Sequence, residues 1–316
     1  MTSALLLALY AITIGTLGVG WLRDSPWTRL APRLAIAGWQ ALAASVLLAL
    51  AAAGLALAIS IPEASGDLAH LLNLCAENLQ HLYVSPGGTL AAALGIAVFL
   101  TLFTRVLWFM VHAVSLDRRE RTARLAVLDL VCRTDVLPGV LVLDHETPYA
   151  FCVGGRRQRI VVTSALLNNL DASELDAVIA HERAHLRQRH HTAVMTCRAL
   201  FNALAPFFPG FRHGMREVRF LVELSADDSA RARTGAHPLR RALTTLACLP
   251  PAPSTLAASD IEVEARIRRL DGQHPRLAQH RLAAASVGFS AAVLIPLALA
   301  TAPALAMAWE GICLLG

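Results

Sequence analysis

The chain contains no lysine: all 28 of its basic residues are arginine. That absence excludes a Schiff-base lysine, a lysine general base and the lysine of a phosphate-binding loop. The arginine-only usage itself reads as codon bias in a GC-rich genome. Charge is also scarce, at 16% of 316 residues. The six cysteines contain no CxxC pair and no paired spacing, which excludes a zinc ribbon or a disulfide scaffold. There is no internal repeat, and no low-complexity tract beyond an Ala/Leu bias.

Apolar residues fill the space left by charge. They make up 55% of the chain, and the mean hydropathy is +0.51, values that suit an integral membrane protein. Four runs, 5–22, 34–61, 90–114 and 283–309, are long enough to cross about 30 Å of hydrocarbon. The first lacks a basic leader and a cleavage site, so it reads as a retained helix. Arg23, Arg29 and Arg33 follow it, whereas 62–88 holds Glu63, Asp67 and Glu77 and no arginine. By the positive-inside rule the N-terminus is outside and 62–88 is an external loop. Residues 115–282 are then cytoplasmic, with 24 of the 28 arginines and 18 of the 23 acidic residues. The net charge of +5 follows from that placement, and no nucleic-acid partner is expected.

The expected fold is therefore membrane α-helical, with four transmembrane helices and a cytoplasmic α+β domain. Residues 1–114 hold three spans, 115–282 the soluble domain, and 283–316 the fourth span and a short external tail. Within the domain, 140–144, 150–154 and 160–163 are short β-rich runs. The pattern beyond them is helical, with a loop at the prolines 250–253.

Asp171-Ala-Ser-Glu174 has the spacing of a capping box and opens a helix that runs into His181-Glu182-Arg183-Ala184-His185. Two histidines four apart lie on one helix face and reach a common point. Neutral imidazole suits zinc, and Glu182 between them can take a proton from a water that the metal polarises. Downstream, Glu223 and Asp227 are also four apart. Glu223 can complete a three-ligand set for one zinc ion, and Asp227 can fix the tautomer of a ligand histidine. His190 and His191 compete as third ligands. However, the glycine of the HExxH-x-x-G-x-x-H pattern is Gln188 here, and on an unbroken helix His191 points away. A helix-end role at the C-terminal dipole or the headgroups suits that pair better.

Together these features resemble the membrane zinc metallopeptidases of the BlaR/MecR type, which are gluzincins. The matching signatures are Ala150-Phe-Cys-Val-Gly-Gly155, Ile160-Val-Val-Thr-Ser164, the helix from Glu174 to His185, and Glu223-Leu-Ser-Ala-Asp227. The resemblance implies that His181, His185 and Glu223 bind zinc, that Glu182 is the general base, and that Asp227 supports a ligand. It also implies that Ala150, Phe151, Cys152 and Val153 form an edge strand onto which an extended protein substrate adds. Regulated cleavage of a cytoplasmic repressor is the activity implied. The antibiotic-sensing members continue into a penicillin-binding domain, whereas this sequence stops at Gly316, so direct β-lactam sensing is not expected.

Other readings remain open at this point. An HtpX/CAAX-type processing protease shares the motif but not the three-plus-one arrangement of spans. A zinc-binding scaffold would have no need of Glu182. A transporter is disfavoured by the few polar groups within the spans. Arg105, inside the third span, either snorkels or has a function. Cys75 and Cys313 fall on the same outer side, where a disulfide could form. Arg231, Arg233, His213 and Tyr149 are unranked candidates for stabilising an oxyanion.

Overall fold

The computed structural model describes residues 2–58, 88–137, 139–155, 157–249, 260–272 and 277–309. Cys75, Cys313 and prolines 250, 251 and 253 lie outside them. The chain begins with helix α1 (Thr2–Asp24), which carries a π-helical turn at Ile14–Gly18, followed by α2 (Pro32–Ala58) and α3 (Gly88–Val131). Strands β1 (Arg133–Leu137), β2 (Val140–Leu143), β3 (Ala150–Val153) and β4 (Arg159–Thr163) come next. Helices α4 (Ser164–Asn169), α5 (Ala172–Arg187), α6 (His190–Leu204), α7 (Gly210–Thr234), α8 (Ala236–Ala247), α9 (Asp260–Asp271) and α10 (Gln279–Trp309) complete it. Among the described residues, four helices (α1, α2, α3 and α10) are long and apolar enough to cross a membrane.

The expected boundary at 114/115 falls inside one unbroken helix. Two features carry α3 on to Val131. Asp117 pairs with Arg121, and Glu120 with Arg124, each one turn apart. Beyond them Leu125 and Leu128 pack on the sheet with Leu141, Val153 and Val161. The sheet is thus covered on both faces. Because side chains alternate along a strand, Val140, Val142, Ile160 and Val162 point the other way. They pack there on Val178, Ile179 and Leu186 of α5.

Strand order is β1-β2-β4-β3, with β2 and β4 parallel and both outer pairs antiparallel. Three of these strands follow the apolar runs seen in the sequence. β1 does not: Arg133-Thr-Asp-Val-Leu137 has no apolar alternation, and it forms as the antiparallel partner of β2. β3 is the outermost strand on its side, with Ala150 opposite Val162 and Val153 opposite Arg159.

The first two long apolar helices and the site-bearing helices share one core. Leu22 of α1 and Trp39 and Val46 of α2 are buried with Phe201 and Leu204 of α6 and Phe211 and Val218 of α7. Small residues allow the close approach. A methyl group at Gly214 would meet the Trp39 ring at 2.8 Å, and one at Gly15 would meet the Phe208 ring at 2.5 Å. Since Gly15 lies midway along α1, the apolar turn between α6 and α7 reaches the middle of that helix. Arg105 of α3 is explained by the same hairpin. Its guanidinium donates to the carbonyls of Ala203 and Asn202 at 3.0 and 3.1 Å, groups that the end of α6 leaves without helical partners.

Candidate metal centre

The site is built from α5, α7 and α9. α5 starts where the sequence places its cap. Oδ1 of Asp171 accepts from the Ser173 and Glu174 amides, both at 2.9 Å, and Glu174 Oε2 accepts from the Asp171 amide at 2.9 Å. Such caps contribute about 1 kcal/mol. Arg241 of α8 adds ion pairs to both carboxylates, at 3.2 and 3.1 Å. The apolar face of α5 then lies on the sheet, and its other face turns His181 and His185 towards α7.

There the two imidazoles meet Glu223. Nε2 of His181 is 3.1 Å from Nε2 of His185. Glu223 Oε2 is 3.3 Å from His181 Nε2, and its Oε1 is 3.6 Å from His185 Nε2. Among the described residues these three form the one His/Cys/Asp/Glu group that could hold a metal ion. The distances test the fit. A tetrahedral zinc with bonds of about 2.0–2.1 Å sets its ligands about 3.3 Å apart, and the three contacts bracket that value. The donor set, two imidazoles and a carboxylate, is that of a catalytic zinc with a position left open.

Behind His181 stands Asp227, its Oδ1 3.0 Å from His181 Nδ1. The approach is off the hydrogen-bond line, and Nδ1 has no other partner among the described residues. Asp227 is itself gripped by Arg266 of α9, a residue with no local signal in the sequence. Nε and Nη2 of Arg266 each donate to one Asp227 oxygen at 2.7 Å, and its Nη1 is 3.2 Å from Glu223 Oε2.

Charge and burial set the protonation of the metal-free cluster. Burial opposes charge on His181, but Asp227 and Glu223 overcome it and raise its pKa to about 10. Burial likewise opposes ionisation of Glu223, yet Arg266 and then His181 hold it down at about 2. His185 is driven the other way, to about 4, by burial and by the charge on His181. Burial raises Glu182, favouring its protonated form.

Cys152 connects the edge strand to this centre. Its thiol is held protonated first by burial and then by the nearby Glu182 carboxylate. β3 therefore runs beside the HExxH face of α5. Tyr149, just before β3, stacks on Phe151 and meets the His145 ring edge-on. No hydrogen bond or ion pair among the described residues brings Tyr149, Arg231, Arg233 or His213 to the cluster, and the cation there is Arg266.

His190 and His191 do not sit where an unbroken helix would put them. The helix is not unbroken: Arg189 adopts the left-handed conformation, φ 51°, and α6 starts afresh. His190 lies at that new N-terminus, buried, with Nδ1 3.0 Å from Nδ1 of His185. It lies outside the His181–His185–Glu223 group, behind His185. His191 packs on Gly154, where an added methyl group would meet its ring at 2.6 Å.

Comparison with known proteins agrees with this geometry. Over 82 residues the chain is 43% identical to the protein named Protease HtpX homolog of Acidiphilium cryptum, covering 23% of this chain and 28% of that one. Over 61 residues it is 46% identical to Protease HtpX homolog 1 of Saccharolobus solfataricus, covering 19% and 20%. A longer match, 27% identical over 132 residues, covers 38% of this chain and 44% of the Protease HtpX homolog of Levilactobacillus brevis. The chain thus spans less than half the length of these curated relatives. No solved structure gives a significant match. Residues 117–219 match Peptidase family M48, a stretch that takes in the sheet, His181, Glu182 and His185 and ends just short of Glu223. That stretch of the chain is thus similar to Peptidase family M48, a similarity that covers about a third of the sequence.

Proposed function

We propose that this protein is a membrane-embedded zinc-dependent endopeptidase acting on a cytoplasmic or membrane-proximal protein. One observation carries the reading: two imidazole nitrogens and a carboxylate stand at the mutual spacing of zinc ligands, with Glu182 on the same helix turn. Zinc held by His181, His185 and Glu223 would supply Lewis-acid polarisation of a carbonyl and of water. Glu182 takes the proton from the attacking water at its carboxylate and delivers it to the leaving amine. Asp227, held by Arg266, keeps His181 oriented. Ala150, Phe151, Cys152 and Val153 offer a free strand edge to an extended substrate, which aligns its backbone beside Glu182.

Two substrate readings have support. The likeness to HtpX homologs supports a processing or quality-control protease better than repressor cleavage, without deciding between them. The order of apolar helices, three before the metal motif and one after, is what keeps the BlaR/MecR-type reading of a cleaved repressor. In either case the protein lies in the bacterial inner membrane as a multi-pass protein. Its N-terminus is outside and its metallopeptidase domain cytoplasmic, since the arginines cluster on that side.

The test compares wild type with Glu182→Gln in membranes, reading bound zinc and cleavage of unfolded membrane proteins and of co-encoded repressors. Zinc retained with cleavage lowered about 100- to 10,000-fold supports the reading. Unchanged cleavage by Glu182→Gln overturns it.

A further inference from the structure

The HExxH-x-x-G-x-x-H pattern has glycine where this chain has Gln188, and that substitution has a structural consequence. The Gln188 side chain is the junction of four helices. Its Oε1 accepts from Arg33 Nε of α2 at 2.8 Å and from Ser225 Oγ of α7 at 2.6 Å, and it stands 3.0 Å from His190 Nε2 of α6. Its Nε2 donates to Ser229 Oγ of α7 at 2.6 Å, and that hydroxyl donates in turn to the Ser225 carbonyl at 3.1 Å.

We propose that Arg33, Gln188 and His190 are positioning residues that hold His185 in the tautomer presenting Nε2 to the metal, through one hydrogen-bond chain that starts on α2. The inference deepens the zinc reading above and rests on it. Each step follows from what the groups can donate. A guanidinium has donors and no acceptor, so the Gln188 atom facing Arg33 is the carbonyl oxygen, and the amide cannot be turned round. An oxygen that only accepts obliges His190 Nε2 to carry its ring proton. The neutral ring has one such proton, so His190 Nδ1 is bare and accepts from His185 Nδ1 at 3.0 Å. With its proton on Nδ1, His185 turns a lone pair on Nε2 towards His181 Nε2 and Glu223 Oε1, 3.1 and 3.6 Å away. His181 is served separately by Asp227. The two ligand histidines therefore have independent supports, one rooted in α9 and the other in a membrane-crossing helix. Arg33 lies far outside the 117–219 segment, so no local motif marks it.

The test uses the full chain in detergent micelles, with zinc affinity from chelator competition and the visible spectrum of the cobalt-loaded protein. Both are read beside circular dichroism and thermal unfolding. His190→Phe and Gln188→Leu are expected to weaken zinc binding about 10- to 100-fold and to shift the cobalt bands. Arg33→Met moves both in the same direction, and Arg33→Lys, which keeps a donor-only partner, restores them. Folded Arg33→Met and Gln188→Leu proteins with wild-type affinity and spectrum would overturn the chain while leaving the zinc site standing. So would Arg33→Lys failing as badly as Arg33→Met. A wild type that binds no zinc fails differently, overturning the metal reading and the chain with it.

Discussion

Arg266 holds both oxygens of Asp227 at 2.7 Å across 39 residues of sequence, and with its remaining nitrogen it touches Glu223. A helix near the end of the described domain thus closes the back of a site built on the HExxH helix. Arg266→Met leaves Asp227, which is 1% exposed, as a buried carboxylate without its cation. Breaking such a pair costs about 3–5 kcal/mol, so denaturant unfolding of this variant should show a loss of that size. Unchanged stability would mean the pair is not formed in solution.

The metal-free protein should be most stable near pH 6.5. His181 is raised to about 10, so its contribution is complete below its unfolded value and is lost as pH rises from about 6.5 to 10. His185 is lowered to about 4 and His190 to about 3, in both cases chiefly by burial. The unfolded chain binds protons there first, so stability also falls as pH drops below about 6.5. Glu223, held at about 2, adds a further loss below about pH 4.5. Thermal unfolding of chelated protein from pH 4 to 10 should trace a dome. Zinc should flatten its alkaline side, because the ion takes the place of the His181 proton.

Arg105 satisfies two carbonyls at the end of α6 from within α3. Arg105→Leu should cost about 1.5–3 kcal/mol, as expected for hydrogen bonds to a charged group, and Arg105→Lys less. A snorkelling arginine would show no such loss on thermal unfolding in micelles.

α2 and α3 cross at Gly54 and Gly95. A methyl group on Gly95 would stand 2.5 Å from the Gly54 carbonyl oxygen, and one on Gly54 2.8 Å from that of Gly95. Membrane helices use such small pairs for close backbone approach. Gly95→Leu should therefore lower the unfolding midpoint, by about 1–3 kcal/mol in stability. A midpoint equal to wild type would rule out the crossing.

What could be read from the sequence was what repeats at short range. The apolar runs give the four long helices, the Asp171–Glu174 cap starts α5, and two pairs at four-residue spacing, His181 with His185 and Glu223 with Asp227, come together as helix faces require. What could not be read depends on contacts distant in the chain. β1 has no alternation of its own and forms through β2. α3 outruns its apolar stretch because Leu125 and Leu128 find the sheet. Arg266, one arginine among 28, is marked only by the return of α9 to the site. His190 reaches His185 only because Arg189 turns left-handed, a conformation that costs an ordinary residue about 1–2 kcal/mol and has no simple sequence signature.

Counting bound metal tests the zinc centre most directly. The full-length protein, purified in detergent without chelator, should carry one zinc per chain by elemental analysis. His181→Ala and His185→Ala, each still folded by circular dichroism, should carry close to none. A folded wild type that holds no zinc after equilibration with the ion would contradict the account.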